Sequence, residues 1–397
     1  MRRRLLLAAF GDPGHAFPML ALGQRLAGRG HDVTLETWQR WRGHVEAGGM
    51  TFAAAPQYDV FPTRERPLKP YQAVVRAARD TAALVARLRP DAVVADILTL
   101  GPALAGELEG VPVATLVPHV FPATAPEHPP YALGARVPRT AAGRALWRAL
   151  AGPMDGGLRR GRRELNHTRA MLGLPALEHV HGGISRRLCL VATFPQLEYP
   201  REWPSWTRVV GPLMWEPPAD DVQLPPGDDP LVLVAPSTSQ DRDHRLLRAA
   251  LEGLADAPVR VLATWNRRPL QSSVVPASNT RLVEWVSYSR TMPRCDLVVC
   301  HGGHGTVVRA LACGVPVVAS PSGGDMGENA ARIDWARVGV RLPWRLCTAR
   351  ALRLAVERAL GDPLMAARAR ALSAWAAARD GVERAADEVE RFALSER

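Results

Sequence analysis

The hexapeptide His301-Gly302-Gly303-His304-Gly305-Thr306 stands between an apolar run, residues 296–300, and a run from Thr306 to Cys313 that reads as helix. A buried strand thus delivers three glycines to the start of a helix. Glycines let the backbone approach a ligand closely, and the first N–H groups of such a helix have no internal partner. That terminus suits an anion, and a diphosphate is the anion expected. His301, at the strand's carboxyl end, adds a hydrogen-bond donor or a positive charge. Far upstream, His15 follows the first apolar run directly, and Asp96 closes the run Ala92-Val93-Val94-Ala95. An imidazole held by a carboxylate has a fixed tautomer and raised basicity, as a general base requires. Each residue also has a plainer reading, His15 as a histidine at a helix start and Asp96 as the cap of the next helix.

The elements around these residues repeat one grammar. Leu5 to Phe10, Val33 to Glu36, Met50 to Ala54, Ala92 to Asp96 and Val113 to Val117 read as strands. Phe17 to Ala27, Tyr71 to Leu88 and Thr99 to Leu108 read as helices. Residues 118–138 are irregular and carry His119, Phe121, His128 and Tyr131, and Thr140 to Leu172 is mostly helical and rich in arginine. After Gly211-Pro212, residues 215–230 are proline-rich, acidic and poor in apolar anchors, which reads as a linker. Strands then recur at Leu231 to Ala235, Val259 to Thr264, Thr280 to Val283, Leu297 to Cys300 and Val315 to Ala319. The last forty residues are helical, with a break near Gly381. Short apolar strands alternating with helices predict an α/β protein with parallel sheets covered on both faces. The expected division is residues 1–212 and 231–380 as two doubly wound domains, 213–230 as linker, and 381–397 as a terminal helix returning to the first domain. Ligands of such sheets sit beyond the carboxyl ends of the strands, so the loops at His15, Asp96 and His301 are expected to face one cleft.

Composition narrows the classes. The chain has 397 residues and 47% hydrophobic content, enough for two cored domains. Its net charge of +11 is almost all arginine, with Lys69 the only lysine, and no nucleic-acid motif or aromatic platform accompanies it. A basic surface still draws in an anionic sugar nucleotide. Cys189, Cys295, Cys300, Cys313 and Cys347 show no paired CxxC spacing and read as reduced thiols of a cytoplasmic protein. No apolar run is long enough to span a bilayer. The start Met1-Arg2-Arg3-Arg4-Leu5 superficially suggests a signal peptide, but Gly11-Asp12-Pro13-Gly14 follows without a small-x-small cleavage site, so a first buried strand is expected.

The chain resembles, along nearly its whole length, the inverting nucleotide-sugar-dependent glycosyltransferases of GT-B fold, in particular the bacterial enzymes that decorate natural products. Gly14-His15-Ala16-Phe17-Pro18, Gly28-Arg29-Gly30-His31-Asp32-Val33-Thr34, Pro90-Asp91 to Asp96, Gly110-Val111-Pro112 and Val210-Gly211-Pro212 carry the amino-terminal part of the resemblance. Trp285-Val286, the 301–306 hexapeptide, Gly314-Val315-Pro316, Asp325 and Asn329 carry the donor part. The resemblance implies that His15 deprotonates an acceptor hydroxyl and that Asp96 orients it. It implies that Trp285 and the backbone of Val286 border the base. Ser237, Thr238, His301, Gly303, Gly305 and Thr306 would hold the diphosphate, and Asp325 would accept from sugar hydroxyls. With a helix dipole and a histidine on the leaving group, no metal and no cofactor beyond the nucleotide sugar are expected.

Two positions depart from the family. Arg309 stands where a glutamate usually holds the ribose hydroxyls, which favours a dTDP-sugar over a UDP-sugar unless Arg309 is simply a solvated helix residue. Met326 replaces a glutamine that contacts the donor sugar, which suggests a deoxygenated sugar. Tyr58, His119, Phe121 and Tyr131 are candidates for the pocket of a hydrophobic acceptor, or else ordinary loop packing. Expected partners are this small acceptor and the nucleotide sugar, with no nucleic acid, no integral membrane association, and a homodimer left open. The departures also keep open a weakened, nucleotide-sugar-binding auxiliary protein. A dinucleotide oxidoreductase would need Gly-x-Gly-x-x-Gly after the first strand, and that motif is missing.

Overall fold

The computed structural model describes residues 2–55, 70–123, 125–237, 241, 243–267, 270 and 275–395. The first domain runs β1 (Arg4–Ala8), α1 (Pro13–Gly28), β2 (Asp32–Thr37), α2 (Arg42–Ala47), β3 (Thr51–Ala54), α3 (Pro70–Leu88), β4 (Ala92–Asp96), α4 (Leu100–Leu108), β5 (Val113–Val117), α5 (Ala141–Met171), β6 (Cys189–Val191) and β7 (Thr207–Val209). Among the described residues its sheet has seven strands in the order β3-β2-β1-β4-β5-β6-β7, all parallel. The central strands are continuous apolar runs because both faces are covered; Leu6, Leu7, Val93 and Val94 have no exposed surface.

The second domain runs β8 (Leu231–Ala235), α6 (Arg245–Gly253), β9 (Arg260–Thr264), β10 (Thr280–Val283), α7 (Tyr288–Thr291), β11 (Leu297–Cys300), α8 (His304–Ala312), β12 (Val317–Ala319), α9 (Met326–Ala336), β13 (Gly339–Arg341), α10 (Ala349–Leu360), α11 (Pro363–Ala378) and α12 (Gly381–Ser395). Its six described strands are ordered β10-β9-β8-β11-β12-β13, again all parallel. In each sheet the winding reverses once, between β1 and β4 and between β8 and β11. A crevice opens at such a reversal, and ligands of doubly wound sheets bind there.

Two stretches of chain, α12 and residues 215–230, run between the halves. α12 leaves the second domain and lays Ala385, Ala386, Val389 and Phe392 into the first domain's core beside α1. Ion pairs flank that seam, Arg29 with Asp387 at 2.8 Å and His31 with Glu390 at 2.8 Å. Residues 215–230 form no helix or strand, but they are better anchored than their composition predicts. Trp215 packs edge-on against Phe17 at 5.0 Å and His44 at 5.2 Å, and Val222 and Leu224 pack on the second domain's core. Arg260 donates to the Asp229 carbonyl at 2.7 Å. Three apolar side chains suffice because each meets a preformed core face. No helix among the described residues is long and apolar enough to cross a membrane.

Candidate active site

His15 lies in the first turn of α1, one residue run beyond β1, and Asp96 is the last residue of β4, the neighbouring strand. Nδ1 of His15 is 2.7 Å from Asp96 Oδ2, and the other carboxylate oxygen accepts the Leu98 N–H at 2.8 Å. Asp96 is fully buried and His15 mostly so. Burial disfavours a charged imidazole. The hydrogen bond and charge of Asp96, with smaller contributions from Asp325 and Asp12, outweigh that cost and hold His15 above its ordinary value. With Nδ1 committed, Nε2 is the ring nitrogen available to a substrate.

His119 stands beside this pair, its ring centroid 6.3 Å from that of His15. Its Nδ1 is 2.8 Å from the Val120 carbonyl, which requires a proton on Nδ1 and leaves Nε2 an acceptor. Burial keeps His119 below its ordinary value. Tyr131 stacks on it at 5.6 Å, with its hydroxyl 3.1 Å from Nδ1. Both residues are thus within reach of the dyad. Phe121 is not: it is 2% exposed and sits in the first domain's core against Trp203 and Trp206, so its place in an acceptor pocket is corrected. Phe121 follows β5 by four residues and takes the alternative of ordinary loop packing, its ring against Trp203 and Trp206. Tyr58 and Thr238 lie outside the described residues.

Across the cleft, α8 opens at the reversal of the second sheet. Gly303 occupies its N-cap with no side chain capping it among the described residues, and Gly305 is exposed. Gly302 has φ +84°, and a Cβ there would meet the Met326 carbonyl at 3.1 Å. A Cβ on Gly303 would collide with the His301 ring. Asn329 ties the loop down by donating to the Gly302 carbonyl at 3.0 Å. His301 Nδ1 lies 3.5 Å from the Ala235 carbonyl, which fixes a proton on Nδ1, and burial holds its pKa below the ordinary value, so Nε2 donates to an anion only once the ring takes up a second proton. Ser237, after β8, and Thr306 are buried at the same reversal. His304, the first residue of α8, reaches the first domain, its Nε2 3.2 Å from the Ala192 carbonyl.

Asp325 occupies the N-cap position of α9, at the meeting of the two walls, and its Oδ2 lies 3.4 Å from Asn329 Nδ2. Its charge favours the protonated forms of His15 and His119 of one domain and of His301 of the other. Met326 packs beside Gly302 and accepts weakly from the Ser322 hydroxyl at 3.6 Å. Val286 is 1% exposed and packs in the second domain's core. Trp285 is half-buried, with the Arg267 guanidinium 4.9 Å over its ring and Tyr288 stacked beside it at 6.3 Å. Neither Arg267 nor Tyr288 is legible in the sequence as a partner of Trp285, since no local pattern marks an arginine eighteen residues upstream as an aromatic's neighbour. Arg309 is no solvated helix residue. It donates to the Trp215 carbonyl at 2.9 Å and lies 3.8 Å from Glu216, whose Oε1 accepts from Ser287 at 2.7 Å. Clusters of His, Cys, Asp or Glu able to hold a metal ion are absent among the described residues.

The family described as erythromycin biosynthesis protein CIII-like, C-terminal domain, matches residues 248–391. The 4'-demethylrebeccamycin synthase of Lentzea aerocolonigenes is 31% identical over 98% of this chain and 99% of its own. The crystal structure of the glycotransferase of kitacinnamycin superposes with a TM-score of 0.77 at 20% identity, covering 98% of this chain and 99% of that one. Glycosyltransferase VinC, solved in complex with dTDP, gives 0.73 at 20% identity over 99% and 100%. At that identity these two likenesses carry the fold.

Proposed function

The chain belongs to the GT-B glycosyltransferases of antibiotic biosynthesis, and from that membership we propose that it inverts configuration while moving a deoxy sugar from a dTDP-sugar to a hydroxyl of a small, largely hydrophobic natural product. The acceptor oxygen attacks the anomeric carbon, its proton passes to His15 Nε2, and the bond to the diphosphate breaks with the electron pair leaving on phosphate. Asp96 keeps His15 in the receiving tautomer and balances the imidazolium formed. The uncapped N-terminus of α8, with Ser237 and His301, receives the growing negative charge on the diphosphate. Asp325 accepts from the sugar's hydroxyls, and Trp285 with the Val286 backbone holds the base. His119 and Tyr131 border the acceptor. No metal is assigned a role, so chelation is expected to leave turnover unchanged.

One observation carries this reading: the first turn of α9 meets both walls, its Gly327 carbonyl 3.0 Å from where a Cβ on the first domain's Gly134 would stand and its Met326 carbonyl 3.1 Å from where one on Gly302 of the phosphate loop would stand. A sugar bridging a base and a leaving diphosphate needs that apposition. The preference for dTDP rests on the lack of a helix carboxylate at Arg309, together with the dTDP bound by the structurally similar VinC. The preference for a deoxy sugar rests on Met326, whose thioether replaces a polar contact.

Calorimetry of dTDP against UDP, followed by a mass-spectrometric acceptor screen with sugars of the preferred nucleotide, tests the proposal. Tighter binding of dTDP and a product heavier by one glycosyl unit are expected. Failure of both nucleotides to bind would remove it. Binding without transfer to any acceptor would leave a nucleotide-sugar-binding auxiliary protein in its place.

A further inference from the structure

Behind the crevice a buried cluster of charges joins the domains. Arg332 on α9 is 3% exposed, Glu328 2% and Glu198 5%. Arg332 Nε donates to Glu328 Oε1 at 2.8 Å. Its Nη1 donates to the Leu197 carbonyl at 3.2 Å and to Glu198 Oε2 at 3.3 Å. The guanidinium carbon lies 3.4 Å from the centroid of the Tyr199 ring. Glu198 in turn accepts the Phe121 N–H at 2.6 Å. A helix of the second domain is thereby fastened to two first-domain segments, the one after β6 and the one after β5.

Stability is a poor reason for this arrangement. Two charges taken out of water recover their desolvation cost only with near-ideal geometry, and apolar replacements often fold as well or better. What a buried arginine with its Nε and Nη1 donating to separate fixed partners does supply is registration, since the planar guanidinium meets them all in one orientation. The other polar tie between α9 and the first domain cannot do this. Arg136 and Asp334 pair at 2.9 Å, but Arg136 is exposed and Asp334 only partly buried, so water screens the pair.

The ends of the fastened segments are the site itself. Asp325 precedes Arg332 by seven residues, about two turns, so both stand on one face of α9. His119 precedes Phe121 by two residues, and its ring lies 6.3 Å from that of His15. The geometry points to Arg332 as a positioning residue that, through Glu198 and Phe121, sets Asp325 against His119 and His15, so that the bound sugar and the acceptor hydroxyl meet in register. Arg332 touches neither. The inference rests on the glycosyl-transfer reading above. It explains why a buried charge is kept where an apolar pair would pack, and a misplacement of 1 Å at such a junction costs on the order of 100-fold in rate.

Wild type, Arg332→Lys, Glu198→Gln and the exposed control Arg136→Ala are compared in thermal midpoint, dTDP affinity by calorimetry, and kcat and donor KM with the substrate pair from the acceptor screen. Arg332→Lys keeps the charge but loses the fork; Glu198→Gln keeps the acceptor for Phe121 and loses the charge. Both are expected to bind dTDP within about twofold of wild type and to lose on the order of 100-fold in kcat with little change in donor KM. Arg136→Ala is expected to match wild type. Turnover within about threefold of wild type in both cluster variants, or in Glu198→Gln if the lysine variant fails to fold, would make the cluster merely structural. Loss of dTDP binding in the variants alone would place its effect on the donor cradle and overturn the inference. If wild type itself neither binds a nucleotide nor transfers, the glycosyl-transfer reading falls first, and this inference with it.

Discussion

His15 Nδ1 and Asp96 Oδ2 lie 2.7 Å apart at the ends of adjacent parallel strands, where the first sheet reverses its winding. The register of β1 with β4 pairs Ala8 with Ala95, so the chain beyond each strand emerges side by side. Asp96 is held by the Leu98 N–H on its other oxygen. The carboxylate therefore cannot turn away, and the imidazole has one tautomer.

Replacing either member should separate chemistry from binding. His15→Ala is expected to lose about 10²–10⁴-fold in kcat, the usual weight of a general base, while dTDP affinity stays unchanged. Asp96→Asn should lose turnover through the wrong tautomer with the same intact binding. Single-turnover kinetics beside calorimetry reads both, and full turnover in His15→Ala would end the role assigned to it.

The pH profile follows from the same pair. Only neutral His15 can take a proton, and Asp96 holds its pKa above the ordinary 6.5 against the opposing effect of burial. The acid limb of kcat/KM is therefore expected above pH 6.5. Asp96→Asn removes the favourable contact and leaves burial, so the limb of the residual activity should move below pH 6.5. An unmoved limb would mean that another group sets it.

Two glycines of the phosphate loop should fail differently. Gly302→Ala forces a side chain into φ +84° and against the Met326 carbonyl, at about 1–2 kcal/mol, and should lower both the thermal midpoint and dTDP affinity. Gly305 is helical with open space where a Cβ would stand, so Gly305→Ala should raise stability by up to about 1 kcal/mol while obstructing the diphosphate. Melting curves and calorimetry on the two variants would show the split.

The reversal points were legible because continuous apolar runs mark buried parallel strands and their glycine or histidine ends mark the loops. Strands β6, β7 and β13, of three residues each, were not, since three residues show no period. Which of its two readings Phe121 takes was not legible, because composition reports that an aromatic is present in a loop, not which way the loop turns it. The partners of Arg332 were hidden for a simpler reason: Glu198 lies 134 residues away, on another domain. Long-range charge pairing leaves no local trace. His15 and Asp96, 81 residues apart, could be joined only because topology predicts which strands are neighbours.

A buried carboxyl group on the first sheet should make stability depend on pH. Glu36 on β2 is 2% exposed; it accepts from the Thr81 hydroxyl at 2.9 Å through Oε1, while Oε2 has no partner among the described residues. Burial, only partly offset by Thr81, pushes its pKa up to about 7. The folded protein thus holds a proton that the unfolded chain releases near pH 4.5. The stability this contributes is complete below pH 4.5, declines as pH rises, and is gone above about 7, a swing on the order of 3 kcal/mol. Glu36→Gln keeps the bond to Thr81 and cannot ionise. Denaturant melts at pH 5 and pH 8 should show wild type losing stability between them and the variant holding it, so that the variant is the more stable of the two at pH 8. Equal losses in both proteins would mean that Glu36 is already ionised at pH 5, with water or a neighbouring cation satisfying Oε2.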